Sequence, residues 1–176
     1  MSESTKKHKA TAPRQLNFAL FVCSSSRYQQ LQRGEKISDA SGDLIEALVE
    51  NAGHKVVFKK IIADDRAQIQ AAVEETLSSV DVDIAIFCGG TGIASSDVTI
   101  ETVSPFLEKI LPGFGEIFRR LSYDQLGSAA VLSRAIAGVA KGKALFCIPG
   151  SPDAARLAVE TLILPEAPHI VRHARE

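Results

Sequence analysis

The stretch FCGGTGIASSDVT, Phe87 to Thr99, carries the clearest structural signal in the chain. It continues the apolar run DIAIF (Asp83 to Phe87), places glycine at 89, 90 and 92, and reaches Asp97 just before the helical pattern of VTIETV. An apolar run, a glycine turn and a helix start together predict the strand-to-helix corner of an α/β sheet. With so few side chains in the turn, backbone N–H groups are free to converge on an anion, and a helix N-terminus adds positive potential. A tight turn with no ligand explains the glycines as well. Asp97 also has a structural reading, since aspartate is a favoured helix N-cap. The chain has no G-K-[ST] ending of a P-loop, no G-x-G-x-x-G dinucleotide spacing and no G-x-S-x-G nucleophile elbow.

The same corner recurs at CIPGSPDAARL (Cys147 to Leu157). There Pro149 and Gly150 leave a strand, Ser151 caps, and Pro152 suits the first helical position. The apolar runs LNFALFVC (16 to 23), HKVVFKKII (54 to 62), DIAIFC (83 to 88) and KALFCI (143 to 148) are short and rich in β-branched or aromatic residues. Helical patterns alternate with them: Asp39 to Asn51, ended by Gly53; Asp65 to Ser79; Gly115 to Gln125; and a run from Ser151 to Ile163. This order predicts an α/β fold, a three-layer doubly wound and mostly parallel sheet with helices on both faces, binding ligands beyond the carboxyl ends of its strands. One domain is expected over residues 15–176, after a polar, disordered tail over residues 1–14. The connection SSSRYQQLQRGEKISDASGD after the first strand is long for a compact domain. It brings Ser24, Arg27 and then Asp39, Ser41 and Gly42 toward the same rim.

Hydrophobic residues make up 45% of the 176, with 6% aromatics and no Trp, so the core is built from Ala, Val, Ile and Leu. Lys and Arg number 20 against 21 for Asp and Glu. The net charge of -1 supplies no global field toward nucleic acid or an anionic membrane, so local geometry must hold any anionic ligand. Cys23, Cys88 and Cys147 are odd in number and lack C-x-x-C spacing, which fits a reducing cytoplasm and small buried thiols better than disulfides or zinc. No apolar run approaches the roughly 18 residues of a membrane helix. His169 and His173 stand four apart, a spacing open to metal, though a solvated helix face explains it too.

Three spaced motifs then agree in order: GGTGIASSDVT, LPGFGEIFRRLSYDQLGSAAVLSRAIAG and PGSP. Together they resemble the MoaB and MogA family of molybdenum-cofactor biosynthesis proteins and the G domains of gephyrin and its plant counterpart. The likeness runs over about residues 16 to 175, and the closing LILPEAPHIVRHARE is nearer MoaB than MogA.

The resemblance implies an enzyme that adenylylates molybdopterin with Mg-ATP and releases pyrophosphate, working as a homotrimer or hexamer. It implies that Asp64 of IIADD and Asp97 of SSDVT organise Mg²⁺ or orient substrate, with Asp65 a near alternative to Asp64. It also implies that Gly89, Gly90, Thr91 and Gly92 line the phosphate path. Ser133 and Arg134 of LSR, with Pro149, Gly150 and Ser151, are the candidates for other nucleotide and pterin contacts, although Arg134 also suits a structural ion pair. Pro112, Gly113 and Glu116 of LPGFGE are expected at the rim, where a helix-entry turn accounts for them nearly as well. Ser95 and Ser96 stand where family members carry proline and a basic residue, and Ala63 where proline is usual. The two serines weaken the expected charge compensation and point to the alternative, a catalytically weak molybdopterin-binding protein of the same family.

Overall fold

The computed structural model describes residues 15–176, so the expectation of a disordered tail over residues 1–14 lies outside the described residues. Six strands form one sheet: β1 (Asn17–Cys23), β2 (Lys55–Ile62), β3 (Ile84–Cys88), β4 (Lys109–Ile110), β5 (Ile136–Ala140) and β6 (Lys143–Ile148), in the order β2-β1-β3-β6-β5-β4. The four strands β2, β1, β3 and β6 run parallel, and β5 and β4 return antiparallel at one edge. The helices are α1 (Ser25–Gln32), α2 (Ala40–Asn51), α3 (Arg66–Ser78), α4 (Thr99–Val103), α5 (Pro112–Leu126), α6 (Pro152–Arg156) and α7 (Leu164–Ala174).

The central strands read as nearly unbroken apolar runs because helices cover both of their faces. β3 and β6 are buried along their whole length, and β1 beyond Asn17. Alternate residues divide between two cores. Phe18, Leu20 and Val22, with Ile84, Ile86 and Phe146, face Ile45 and Val49 of α2, Phe118 of α5 and Val171 of α7. Phe21, Phe87 and Leu145 face Ile69 and Val73 of α3. In register, the rings of Phe21 and Phe87 stack with centroids 4.9 Å apart. The three thiols share this burial and behave as small core residues, which raises their pKa values; that of Cys88 is pushed up to about 12.

Four local features depart from the sequence reading. The connection after β1 contains the helix α1, because the Ser24 hydroxyl accepts from the backbone N–H of Arg27 and starts a turn. The helix expected from Gly115 begins at Pro112, whose fixed φ suits the first turn. The pairing of β4 with β5 was not anticipated; it depends on Gly138, where a Cβ would lie 2.6 Å from the carbonyl oxygen of Lys109. Pro165 and Pro168 cannot donate to the carbonyls of Thr161 and Leu164, and the chain runs as a π-helix over Leu157–Ile163 just before α7.

At the amino ends of the strands polar groups are paired. Lys143, 8% exposed, donates to the carbonyls of Ser79, at 2.6 Å, and Val82. Asp83 accepts from the N–H of Asn17 at 2.7 Å and pairs with Arg175. His54 Nδ1 accepts from the N–H of Leu16 at 3.3 Å.

Candidate active-site cleft

β1 has β2 on one side and β3 on the other, so the connections leaving their carboxyl ends diverge and open a crevice. The cleft there has a volume of about 450 Å³ and gathers Cys23, Ser24, Arg27, Asp64, Gly89, Gly90, Thr91, Gly92 and Asp97 with Leu132, Ser133, Arg134, Pro149, Gly150 and Ser151. Four strand ends and the segment before β5 therefore meet at one place.

The glycines are needed first for close packing. Gly89 (φ 109°) and Gly90 (φ 61°) hold a backbone that side chains rarely adopt. A Cβ on Gly89 would lie 2.2 Å from the carbonyl oxygen of Cys23; one on Gly90 would lie 2.4 Å from Thr99 Oγ1 and 2.6 Å from Asp64 Oδ1. One on Gly92 would lie 2.6 Å from Asp97 Oδ2, and one on Gly150 3.2 Å from the Cα of Gly89. Bare backbone is thus what lets two carboxylates and two loops occupy one crevice.

The two aspartates are held differently. Asp64 Oδ2 accepts from the N–H of Ser25 at 2.8 Å, while the Asp64 N–H donates to Ser25 Oγ at 3.0 Å. Its Oδ1 is buried with no hydrogen-bond partner. Asp97 is not a helix cap: α4 is capped at Val98 without a side-chain bond, and Asp97 Oδ2 instead accepts from the N–H of Ala94 at 2.8 Å, closing its own loop. With five residues α4 is also too short to supply the helix field expected from the sequence. The near alternative, Asp65, caps α3 through bonds to the N–H groups of Ala67 and Gln68 and lies outside the cleft.

A supporting layer sits behind the lining. Asp39 accepts from the N–H of Gly42 at 3.2 Å, faces Arg27 at 3.7 Å, and keeps a buried Oδ2 without a partner. The fully buried Ser41 donates to the carbonyl of Gly150 at 2.7 Å and ties α2 to the second glycine turn. Asp39, Ser41 and Gly42 thus hold the walls and do not line the cleft. Arg134 lines it while paired with Glu101. Burial alone would raise the Glu101 pKa, but the hydrogen bond and charge of Arg134 outweigh it and hold the carboxyl below its ordinary range.

Three expected rim residues do not line the cleft. Pro112 and Gly113 form the first turn of α5, which begins at the same carboxyl-end rim, with a Cβ on Gly115 2.6 Å from the carbonyl oxygen of Ala135, but they lie outside the cleft lining, and Glu116 lines a separate concavity with Arg119 and Tyr123. Sequence reasoning also missed Thr99. It is fully buried, and its Oγ1 has no hydrogen-bond partner beyond a soft contact with the Cys23 sulfur. Its place as the last residue of DVT was the available signal. Among the described residues no group of three or more His, Cys, Asp or Glu is placed to hold a metal ion.

Comparison with known proteins identifies the family. The family described as "Probable molybdopterin binding domain" matches residues 19–169. Molybdenum cofactor biosynthesis protein B of Bacillus cereus is 44% identical over 168 residues, 95% of each chain. A protein of Methanocaldococcus jannaschii named "Probable molybdopterin adenylyltransferase" is 42% identical over 161 residues, 92% of this chain and 95% of that one. The crystal structure of the tungsten cofactor synthesizing protein MoaB from Pyrococcus furiosus superimposes with a TM-score of 0.82 at 37% identity, covering 94% of this chain and all of the other. The chain belongs to the probable molybdopterin binding domain family, among its MoaB and MogA proteins.

Proposed function

We propose that the cleft joins molybdopterin to the adenylyl group of ATP. A terminal phosphate oxygen of molybdopterin attacks the α-phosphorus, a new P–O bond forms, and the bond to the β-phosphate breaks with its electron pair leaving on pyrophosphate. A phosphate monoester with a second pKa of about 6 is mostly dianionic near neutrality, so no general base is required. The work left to the protein is alignment and charge neutralisation. That suits a cleft of glycines, serines, arginines and aspartates without a reactive thiol or histidine in its lining.

The observation that carries this reading is Asp64 Oδ1, a buried carboxylate oxygen without a partner beside the glycine turn. Mg²⁺ fits the donor set, since it takes one or two carboxylates and fills its shell with waters and phosphate oxygens. Asp64 and Asp97 would hold it, and when bound it would supply positive charge against the phosphates. Gly89, Gly90, Thr91 and Gly92 present backbone to the phosphate chain. Ser24, Ser133 and Ser151 offer hydroxyls, and Arg27 and Arg134 offer cations.

One observation favours the second reading, a molybdopterin-binding protein with little turnover: both cleft arginines already face carboxylates, Arg27 at Asp39 and Arg134 at Glu101. Purified protein given molybdopterin and labelled ATP separates the two. Mg²⁺-dependent pyrophosphate release supports the enzyme, and saturable molybdopterin binding without release supports the carrier.

A homo-oligomer larger than a dimer, a trimer or hexamer, is part of the same proposal. Ile117, Tyr123, Leu126, Val131 and Leu132 are each more than half exposed along α5 and the turn after it, apolar surface that a neighbouring subunit would cover. Light scattering that reports a monomer at micromolar concentration would remove this part. A cytoplasmic location completes the reading; among the described residues no helix is long and apolar enough to cross a membrane.

A further inference from the structure

His169 and His173 lie on α7, one turn apart, with their Nε2 atoms 2.8 Å apart. Each ring turns its other nitrogen to a carboxylate: His169 Nδ1 is 3.4 Å from Glu166 Oε2, and His173 Nδ1 is 2.9 Å from Glu176 Oε2. With each Nδ1 protonated toward its carboxylate, each Nε2 presents a lone pair; in the other tautomer of either ring its Nε2–H donates to the neighbouring Nε2. The first arrangement is the one in which both rings can hold a single metal ion.

We propose that His169 and His173 form a two-nitrogen clip for a divalent cation of tetragonal preference, Cu²⁺ or Ni²⁺. Two imidazole nitrogens each about 2.0–2.1 Å from one ion are about 2.9 Å apart when they subtend a right angle, and about 3.3 Å apart at a tetrahedral angle. The observed 2.8 Å matches the right angle of square-planar or octahedral sites. Carboxylates on the distal nitrogens are the support that metal-bound histidines use to fix tautomer and ring direction. Glu176 is further fixed by Arg172, whose Nε donates to its Oε1 at 3.1 Å. The rings are 27% and 45% exposed, so an ion can enter and water can complete its shell. The helix end that carries them reaches the amino-end rim through Arg175 and Asp83, away from the glycine turns. The clip is therefore independent of the adenylylation reading.

The test is titration of the untagged chain with Cu²⁺ near pH 7.5, followed by calorimetry and by electron paramagnetic resonance. One saturable equivalent is expected, with a tetragonal signal coupled to two nitrogens. His169→Ala and His173→Ala should each weaken it at least about tenfold, and Glu176→Gln about tenfold through the lost support of the Nδ1 proton. Melting curves of the variants without metal should stay close to the parent, because both rings are partly exposed. No saturable binding below about 1 mM, or binding that persists in the double variant H169A/H173A, would overturn the clip and leave a proton shared between the rings.

Discussion

At the amino ends of the parallel strands Lys143, Asp83 and His54 all have partners; at the carboxyl ends Asp39 Oδ2, Asp64 Oδ1 and Thr99 Oγ1 are buried with none. One sheet thus carries a saturated rim and an unsaturated one. A buried polar atom left unpaired costs about 1–3 kcal/mol, so the second rim is tolerable only because the rest of the fold offsets it, and is useful only if a ligand meets those atoms. The amino rim fastens helix ends to the sheet, as when Lys143 takes the carbonyl of Ser79 at the end of α3.

The largest break in this contrast should come from removing one charge at the unsaturated rim. Asp64→Asn and Asp97→Asn keep side-chain volume while deleting the charge that Mg²⁺ and phosphate chemistry would use. Turnover is expected to fall at least about 100-fold with the melting temperature little changed. Near-parental pyrophosphate release by either variant would return that aspartate to a purely structural role.

Gly90→Ala should act on both stability and catalysis. At φ 61° the backbone is strained for any side chain, and the new Cβ would drive into Thr99 Oγ1 and Asp64 Oδ1. A loss of about 1–3 kcal/mol in stability, with turnover down at least tenfold, is expected from left-handed strain plus a displaced carboxylate. Gly53→Ala is the control: φ is 83° but nothing lies within 4 Å of its Cβ, so only the strain remains and turnover should hold. Equal turnover losses in both would mean that the contact with Asp64 is irrelevant.

What could be read from the chain follows the same division. NFALFVC, IAIFC and KALFCI announce buried parallel strands because both faces are covered, and the glycine turns sit next to them in sequence. Asp64 came from the resemblance, and its place two residues past the end of β2 is what sets it in the cleft. The short IAGVA and the two-residue β4 have no periodicity to read; they pair because Gly138 lets the Lys109 carbonyl approach. Thr99 was hidden because it meets Gly90 only once the loop between them folds back, its N–H donating to the Gly90 carbonyl at 3.0 Å. Pro112, Gly113 and Glu116 came from the motif; they start α5 on the same rim, and the motif does not encode that the cleft lining stops short of them.

At the saturated rim, Lys143→Met should move stability alone. The ammonium is pushed below its ordinary pKa chiefly by burial, yet donates to two carbonyls that the variant would leave short of a donor. A loss of about 1–3 kcal/mol is expected by urea unfolding, with turnover per folded molecule unchanged. A catalytic loss exceeding the loss of folded protein would show that the two rims are coupled through the strands.

The smallest expected effect is a pH response confined to the amino rim. Burial lowers the pKa of His54 below its ordinary 6.5, and its Nδ1 must stay unprotonated to accept from Leu16. The unfolded chain therefore binds a proton more readily than the folded one. Stability from this group is complete above about pH 6.5 and falls as pH drops through the window down to the lowered value, below which the loss is constant. The ring is partly exposed, so the loss should stay under about 1 kcal/mol. Carboxylates elsewhere also respond to acid, and the informative quantity is the difference between the parent and His54→Gln, measured by urea unfolding at pH 7.5 and 5.5. The parent should lose more than the variant over that interval. Equal losses would mean that His54 titrates alike folded and unfolded, and that the rim's polar pairs are indifferent to pH in this range.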